Sequence, residues 1–587
     1  MIWPQVLPEG GLPLALARGL FVLGLGLGFG AAIGELLFHA RFLRQKRLGA
    51  LLAGLAGIAW AWYVAVDLAD GADLPEALGM LLWHTRFGHL LILQFAGLAL
   101  AVLPWRGAAV FAGIAVALQG LHGHGAAMDD TPLTVVAALH VLAAAAWLGT
   151  LPPLIGVLRR APAEAARRAC RRYAWLGAVC VAGLLASAAW QFSVLIGGIP
   201  GLLGTGYGAM VLVKIVLLLG LLALAARHRF RLAPALAGPP PHRRMAASVT
   251  LEAAIGVLAV LAAAILSGLS PGMHTQPVWP FAYTLSLDAP REDPEIAREV
   301  IWAGVRLAAA IFLMIAALML RRRLAAVIGA LLVAALLVAF ALPHLSPLRV
   351  PAEPTLYYRS PTQFAADSIA NGASLYAQNC VACHGAQGRG DGPQANTLGD
   401  PPADLTAPHL WMHPDGQLFW WISQGMADTR GQAVMPGFGT TLEEPQIWAL
   451  IDFLHARNAG FVFQASGQWL PPVSAPTTDA LLALRGRVVR LVLGAPAPPG
   501  GPKPVTLSVT DPAALAAYAT ILGLPQAAVT GTQILVDRAG YLRAAIPAGS
   551  PAWDDPAALE RAVQEIRTHT LDAGAQMPAG MPMDMGK

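Results

Sequence analysis

The sequence predicts a polytopic α-helical membrane bundle of about ten helices, followed by a small all-α domain and then a small α/β domain. Three observations carry that prediction. Apolar runs long enough to cross a bilayer recur through the first 345 residues. Charged residues make up only 12% of the chain, against about 25% in soluble domains, and the deficit falls almost wholly in that first part. After Pro343 the chain turns polar and rich in Pro and Gly, with helical patterning first and strand-like runs of branched residues later.

The membrane part is expected at residues 1–343, with helices near 14–38, 49–67, 80–103, 107–121, 133–157, 173–195, 208–226, 247–268, 301–320 and 324–343. The fourth is the shortest. The first apolar run is long and lacks a basic leader, so no cleavable signal peptide is expected. Alternate loops, starting after the first helix, carry 19 Arg and Lys residues, among them Arg41, Lys46, Arg159, Arg172, Arg229 and Arg322; the opposite loops carry only Arg291 and Arg298. The positive-inside rule then puts both termini outside. The basic residues sit in these short loops, so the formal charge of +5 is no sign of nucleic-acid binding, and a lipid bilayer is the expected partner.

Residues 344–361 read as a linker and 362–460 as the all-α domain. Cys380-Val381-Ala382-Cys383-His384 is the C-x-x-C-H signature of covalent c-type haem. The two thiols add across the haem vinyl groups and His384 ligates the iron, which makes this domain a cytochrome c. Such haem is attached only after export, so the motif agrees with the charge-derived topology. Zinc would need further ligands, and no other Cys lies nearby; the remaining two, Cys170 and Cys180, fall in the membrane part. "ADSIANGASLYAQNCVACHG" looks like a first helix running into the motif, and "GRGDGPQANTLGDPPADL" like the haem-edge loop of class I cytochromes c. Met435, in "AVMPGFGTTL" ahead of the helix "EEPQIWALIDFLHAR", is the expected distal ligand; Met426 competes, and His409, His413 and His455 are weaker rivals. His/Met ligation raises the reduction potential and leaves no open iron position, which suits electron transfer.

The same topology places metal-type side chains on the outer face: His122, His124, Met128, Asp129 and Asp130 in "LHGHGAAMDD", and Met273 with His274. His84, His89 and His140 fall in the outer halves of helices three and five. Imidazole and thioether suit copper, and thioether favours Cu(I); a solvated loop histidine is the plainer reading of each. Lys214 lies about 10 Å into helix seven, where it should face the bundle or snorkel outward. Glu35 and Glu252 lie near inner helix ends, where a carboxylate is unremarkable.

"LHVLAAAAWLGTL" (139–151) and "YGAMVLVKIVLLLGLLALAARHR" (207–229), with the preceding "ALQGLHGHG", resemble segments of the copper resistance protein D (CopD-like) membrane family. The likeness covers roughly 80–270. It implies an inner-membrane protein that moves copper or delivers it at the outer face. His124, His140 and Lys214 stand at matching positions, and the family's ligand set is otherwise not carried over.

Residues 475–570 form the α/β unit. "RVVRLVLG", "KPVTLSVT" and "TQILVDRAGYLRAAI" read as strands, and two Asp-Pro sequences open helices as N-cap and first-turn Pro. The "TQILVDRAGYLRA" hairpin resembles the end of a thioredoxin-like domain, but the unit has no cysteine and cannot perform dithiol chemistry. The tail, 571–587, carries Met577, Met581, Met583 and Met585, a candidate Cu(I) collector.

Three functions follow. The first is copper binding, transport or delivery at the periplasmic face of the bacterial inner membrane, coupled to a c-type haem, with copper ions and periplasmic electron or copper carriers as partners. The second is respiratory electron transfer, in which His89 and His140 hold a b-type haem that passes electrons from quinol to the c haem. A scaffold that docks on an oxidase is a third. The chain has no hydrolytic constellation and no Walker loop, so a transporter or electron carrier is expected rather than a classical enzyme.

Overall fold

The structure, a computed structural model, describes residues 8, 10–69, 71, 73–103, 105, 107–123, 125, 128, 130–232, 241–319, 324–397, 400–428, 430–469, 471–496, 504–550, 553 and 555–569. The chain divides into two units, Met1–Pro280 and Phe281–Lys587.

The first unit is helical: α1 (Gly11–Phe38), α2 (Leu43–Ala69), α3 (Leu74–His84), α4 (Arg86–Val102), α5 (Ala108–Ala117), α6 (Thr131–Gly149), α7 (Leu151–Arg160), α8 (Ala163–Leu195), α9 (Gly198–Gly204), α10 (Gly206–Arg227) and α11 (Pro241–Leu266). Among the described residues of the whole chain, eight helices are long and apolar enough to cross a membrane, or nine if α3 and α4 make one bent span. The expected count of ten therefore does not hold as ten straight spans. The third helix, read as continuous over 80–103, bends by 72° between α3 and α4. Thr85 causes the break: its backbone is extended and its Oγ1 accepts from Gly88 N at 3.2 Å, an N-cap inside an apolar run. The fourth is ten α-helical residues and a 3₁₀ turn, Leu118–His122, too short for a span.

Small residues let these helices approach closely, as membrane packing favours. A Cβ on Gly30 would strike the backbone of Gly149 and Thr150, so α1 and α6 touch backbone to backbone. Phe21 is fully buried, with Trp60 and Phe95 ring centroids 5.5 and 6.1 Å away. Lys46, counted above among loop cations, is 1% exposed and bonds Glu35 Oε2 at 3.0 Å, while Phe42 N donates to Glu35 Oε1 at 2.9 Å. Glu35 is thus not an idle interfacial carboxylate: removing it would strand a buried ammonium.

The second unit opens with β1 (Tyr283–Leu285) and the apolar helices α12 (Pro294–Met319) and α13 (Leu324–Ala341), which pack together, and β2 (Arg349–Pro351) pairs antiparallel with β1. The stretch read as a linker thus contains a strand, and Thr355 within it is buried with its Oγ1 donating to Gly416 O at 2.5 Å.

Next come α14 (Ala366–Asn379), α15 (Val381–His384), α16 (Asp415–Gln424), the short strands β3 (Met426–Ala427) and β4 (Ala433–Met435), and α17 (Glu444–Ser466). A capping box of Glu443 and Gln446 starts α17, and Gly372 brings α14 onto it at Ala449. Trp448, fully buried, packs against Phe419 at 4.8 Å.

The last part is one mixed sheet in the order β6 (Val505–Val509), β5 (Val489–Leu493), β7 (Gln533–Val536), β8 (Leu542–Ile546), with α18 (Pro512–Leu522) and α19 (Pro556–Thr568). β5 runs parallel to β6 and antiparallel to β7. The period of two sorts the faces: Ile534 and Val536 join the α18 side, and Leu535 joins Leu559 and Val563 of α19. Asp511 and Asp555 cap the helices as expected, accepting from Ala514 N and Ala557 N. The sequence pattern places a break between this unit and the preceding one at 460–475. In the structure Ile369, Ala456 and Ala459 of α14 and α17 share one core with Leu491, Tyr518 and Ile521. The helical pattern of α17 runs on to Ser466, and Gly460 lets α18 close onto it.

Candidate functional site

Cys380 caps the end of α14, and the next turn is α15, so both thiols and His384 lie on one tight loop. His384 N donates to Cys380 O at 2.9 Å, and Gly392 N and Gln394 N close the loop on Cys383 O and Ala382 O. Gly385 is at φ +76°, a left-handed conformation that a side chain would strain. Tyr376 Oη donates to Gly385 O at 2.9 Å, and Arg457 Nη2 donates to Ala386 O.

His384 Nδ1 lies 3.1 Å from Ala403 O. A carbonyl only accepts, so Nδ1 carries the proton and Nε2 keeps its lone pair. Burial holds the imidazole below its usual range, partly opposed by that hydrogen bond. This is the outer-shell arrangement that fixes a metal-binding histidine. Burial, with Cys383 beside it, pushes the Cys380 thiol up to about 11. Neither cysteine is in a disulfide.

Met435 and Met426 are register partners across the β3–β4 pair and emerge on one face. Burial separates them. Met435 packs on the core that also receives Cys380, Val381 and Trp421, whereas Met426 is 38% exposed. The rival His455 is buried, stacked on Trp411 at 4.5 Å with Nδ1 3.7 Å from Asp415, and His409 and His413 lie on a 3₁₀ turn and its cap. The free His384 Nε2, the two thiols and the apolar wall with Met435 fit a haem.

The membrane histidines are dispersed. Among the described residues no three His, Cys, Asp or Glu side chains gather as a metal cluster. His140 Nδ1 lies 2.8 Å from Ser187 Oγ. Ser187 has one proton, and its Oγ lies 2.6 Å from Gly183 O, so it accepts from Nδ1–H and leaves His140 Nε2 open. His122 Nε2 lies 3.2 Å from Gln94 Oε1, and Gln94 Nε2 donates to Ala115 O and Gln119 Oε1; its ring sits against Trp60 and Phe87 at 5.1 and 5.3 Å. His89 is exposed with Nε2 3.0 Å from Trp83 O, and the bend at Thr85 puts it on a different helix from His84. His124, Asp129 and the tail methionines lie outside the described residues.

Sequence reasoning missed Gln94 and Ser187. A fully buried glutamine in an apolar run was a visible signal; a serine 47 residues from its histidine was not. It also passed over Glu252, which is 1% exposed and 3.2 Å from His228 Nδ1, with Ser248 on the other ring nitrogen.

Residues 167–266 match the family described as Copper resistance protein D, and residues 367–454 match the family described as Cytochrome C oxidase, cbb3-type, subunit III. The chain is similar to the Inner membrane protein YebZ of Escherichia coli (strain K12), 30% identical over 139 residues, which are 23% of this chain. That match spans about half of the relative's length, 48%. No solved structure matches. The chain thus joins a membrane region like copper resistance protein D to a cytochrome c-type domain, which supports a haem cofactor and a copper-related role at a membrane.

Proposed function

We propose that this protein handles copper in the bacterial inner membrane, binding, moving or delivering it at the periplasmic face, and carries a covalently attached c-type haem for electron transfer. The observation that carries the haem reading is the pinned His384 imidazole with two unpaired thiols on the same loop. Cys380 and Cys383 would hold the porphyrin, and His384 and Met435 would ligate its iron. When bound, the haem supplies a one-electron iron couple. Copper is cargo here, and His122, His124 and His140 are its candidate ligands, with His89 at the same face. Loop charge supports periplasmic termini. The mixed sheet with its two helices supports a thioredoxin-like reading of the C-terminal part as a redox-silent docking module.

A pyridine haemochrome spectrum, with metal analysis and an anaerobic copper titration of the purified protein, tests this. A c-type spectrum alone, bound copper, and a change in haem oxidation state on adding copper are expected. A b-type component would instead favour the quinol route through His89 and His140, and absence of covalent porphyrin would end the proposal.

A further inference from the structure

The segment Pro408–His413 presents three metal-type side chains that neither the haem pocket nor the membrane histidines use. Residues 408–412 form one 3₁₀ turn with His413 as its cap. The turn is fixed from inside: Leu410 is 4% exposed in the core, and Trp411 stacks on His455 and donates its Nε1 proton to Asn458 Oδ1 at 2.8 Å. Those anchors leave His409 and Met412 outward. Side chains three apart on a 3₁₀ helix eclipse one another, so His409 and Met412 share an edge, with His413 next to it. His409 is exposed and Met412 is 56% exposed.

His413 is oriented as a ligand. Gln417 Nε2 donates to both oxygens of Glu353, at 3.2 and 3.3 Å, which leaves Gln417 Oε1 as an acceptor. That oxygen lies 3.0 Å from His413 Nδ1. His413 therefore carries its proton on Nδ1 and keeps a lone pair on Nε2, held by a carboxylate–amide–imidazole chain like the supports of known metal ligands. The edge of the ring meets Trp421 at 4.8 Å. The His409 and His413 ring centroids are 5.9 Å apart. With metal–nitrogen bonds of about 2.0–2.1 Å, each centroid would lie about 3.2 Å from a shared ion, so one ion can reach both rings.

We propose that His409, Met412 and His413 form a Cu(I) site on the surface of the cytochrome domain. Two imidazoles and a thioether, with no carboxylate at the ion, are a soft, uncharged set suited to Cu(I) rather than to zinc or a hard ion. Trp421, which supports His413, packs on the same core as Met435 and Cys380. The site does not depend on the membrane histidines, and its failure is separable from theirs.

The test is anaerobic Cu(I) titration of the full-length holoprotein against a competing chromophoric chelator. It is run in a background carrying His122→Ala and His140→Ala, so that loss of membrane copper is scored separately. The variant His409→Ala/Met412→Leu/His413→Ala should bind one equivalent fewer. Met412→Leu alone, a solvent-facing change that leaves folding intact, should weaken that equivalent at least tenfold. Gln417→Leu should weaken it about 10- to 100-fold. X-ray absorption at the copper edge should lose one sulfur scatterer in Met412→Leu, while the haem spectrum stays unchanged. Equal stoichiometry and affinity in wild type and Met412→Leu would overturn the proposal, as would zinc displacing the copper at equal concentration.

Discussion

Asp452 offers a sharp test of how the cytochrome core is balanced. Its side chain is 3% exposed on α17, and its Oδ2 has no hydrogen-bond partner. Burial pushes its carboxyl up to about 6; hydrogen bonds from Ser368 and Thr362 oppose the shift, and the neighbouring Asp415 adds to it. The unfolded chain holds the same group near 3.8, so the folded state binds the proton more tightly. Its contribution to stability is complete below about pH 4 and is lost as pH rises through about 6. A shift of about two units at 1.36 kcal/mol each makes that loss about 3 kcal/mol. Asp452→Asn keeps the shape and the acceptor oxygen but cannot ionise. Denaturant unfolding of the holoprotein, followed by haem absorbance from pH 4 to 7.5, measures the effect. The wild type should lose about 3 kcal/mol relative to the variant across this window. A difference that stays flat with pH would refute the claim that burial governs this carboxyl.

Three further outcomes are expected. Met435→Ala should lose the sulfur-to-iron absorption band of the ferric haem and lower its reduction potential, while Met426→Ala leaves both unchanged. Gly372→Ala would set a Cβ against the Ala449 carbonyl, and thermal melting should show about 1–3 kcal/mol of destabilisation. Ser187→Ala frees the His140 ring, and equilibrium dialysis should show copper affinity down about 10- to 100-fold if His140 is a ligand.

The local signals in the sequence were short-range ones. Apolar run length gave most of the spans, because a bilayer imposes a fixed thickness. The pentapeptide 380–384 gave the haem loop, since its three groups sit within one turn. Asp-Pro gave the caps of α18 and α19, which depend on three or four consecutive residues. Thr85 shows the limit even of local reading: as the second-last residue before "FGHLL" it looks like one more helical position, and only the backbone shows it acting as a cap.

What the tertiary structure decided were the pairings between distant residues. The free nitrogen of His384 depends on Ala403, that of His140 on Ser187, and that of His413 on Gln417 and Glu353. The sequence lists each imidazole but not its neighbour, and a ring's tautomer belongs to the neighbour. Burial adds to a preference for Met435 that its sequence setting ahead of a helix already carries: Met435 packs on the core while its register partner Met426 is 38% exposed. The joining of the α/β sheet to the back of α14 and α17 likewise required Ile369, Ala456 and Tyr518 to meet. Composition and periodicity fix which faces are apolar; only the folded chain fixes which apolar face covers which.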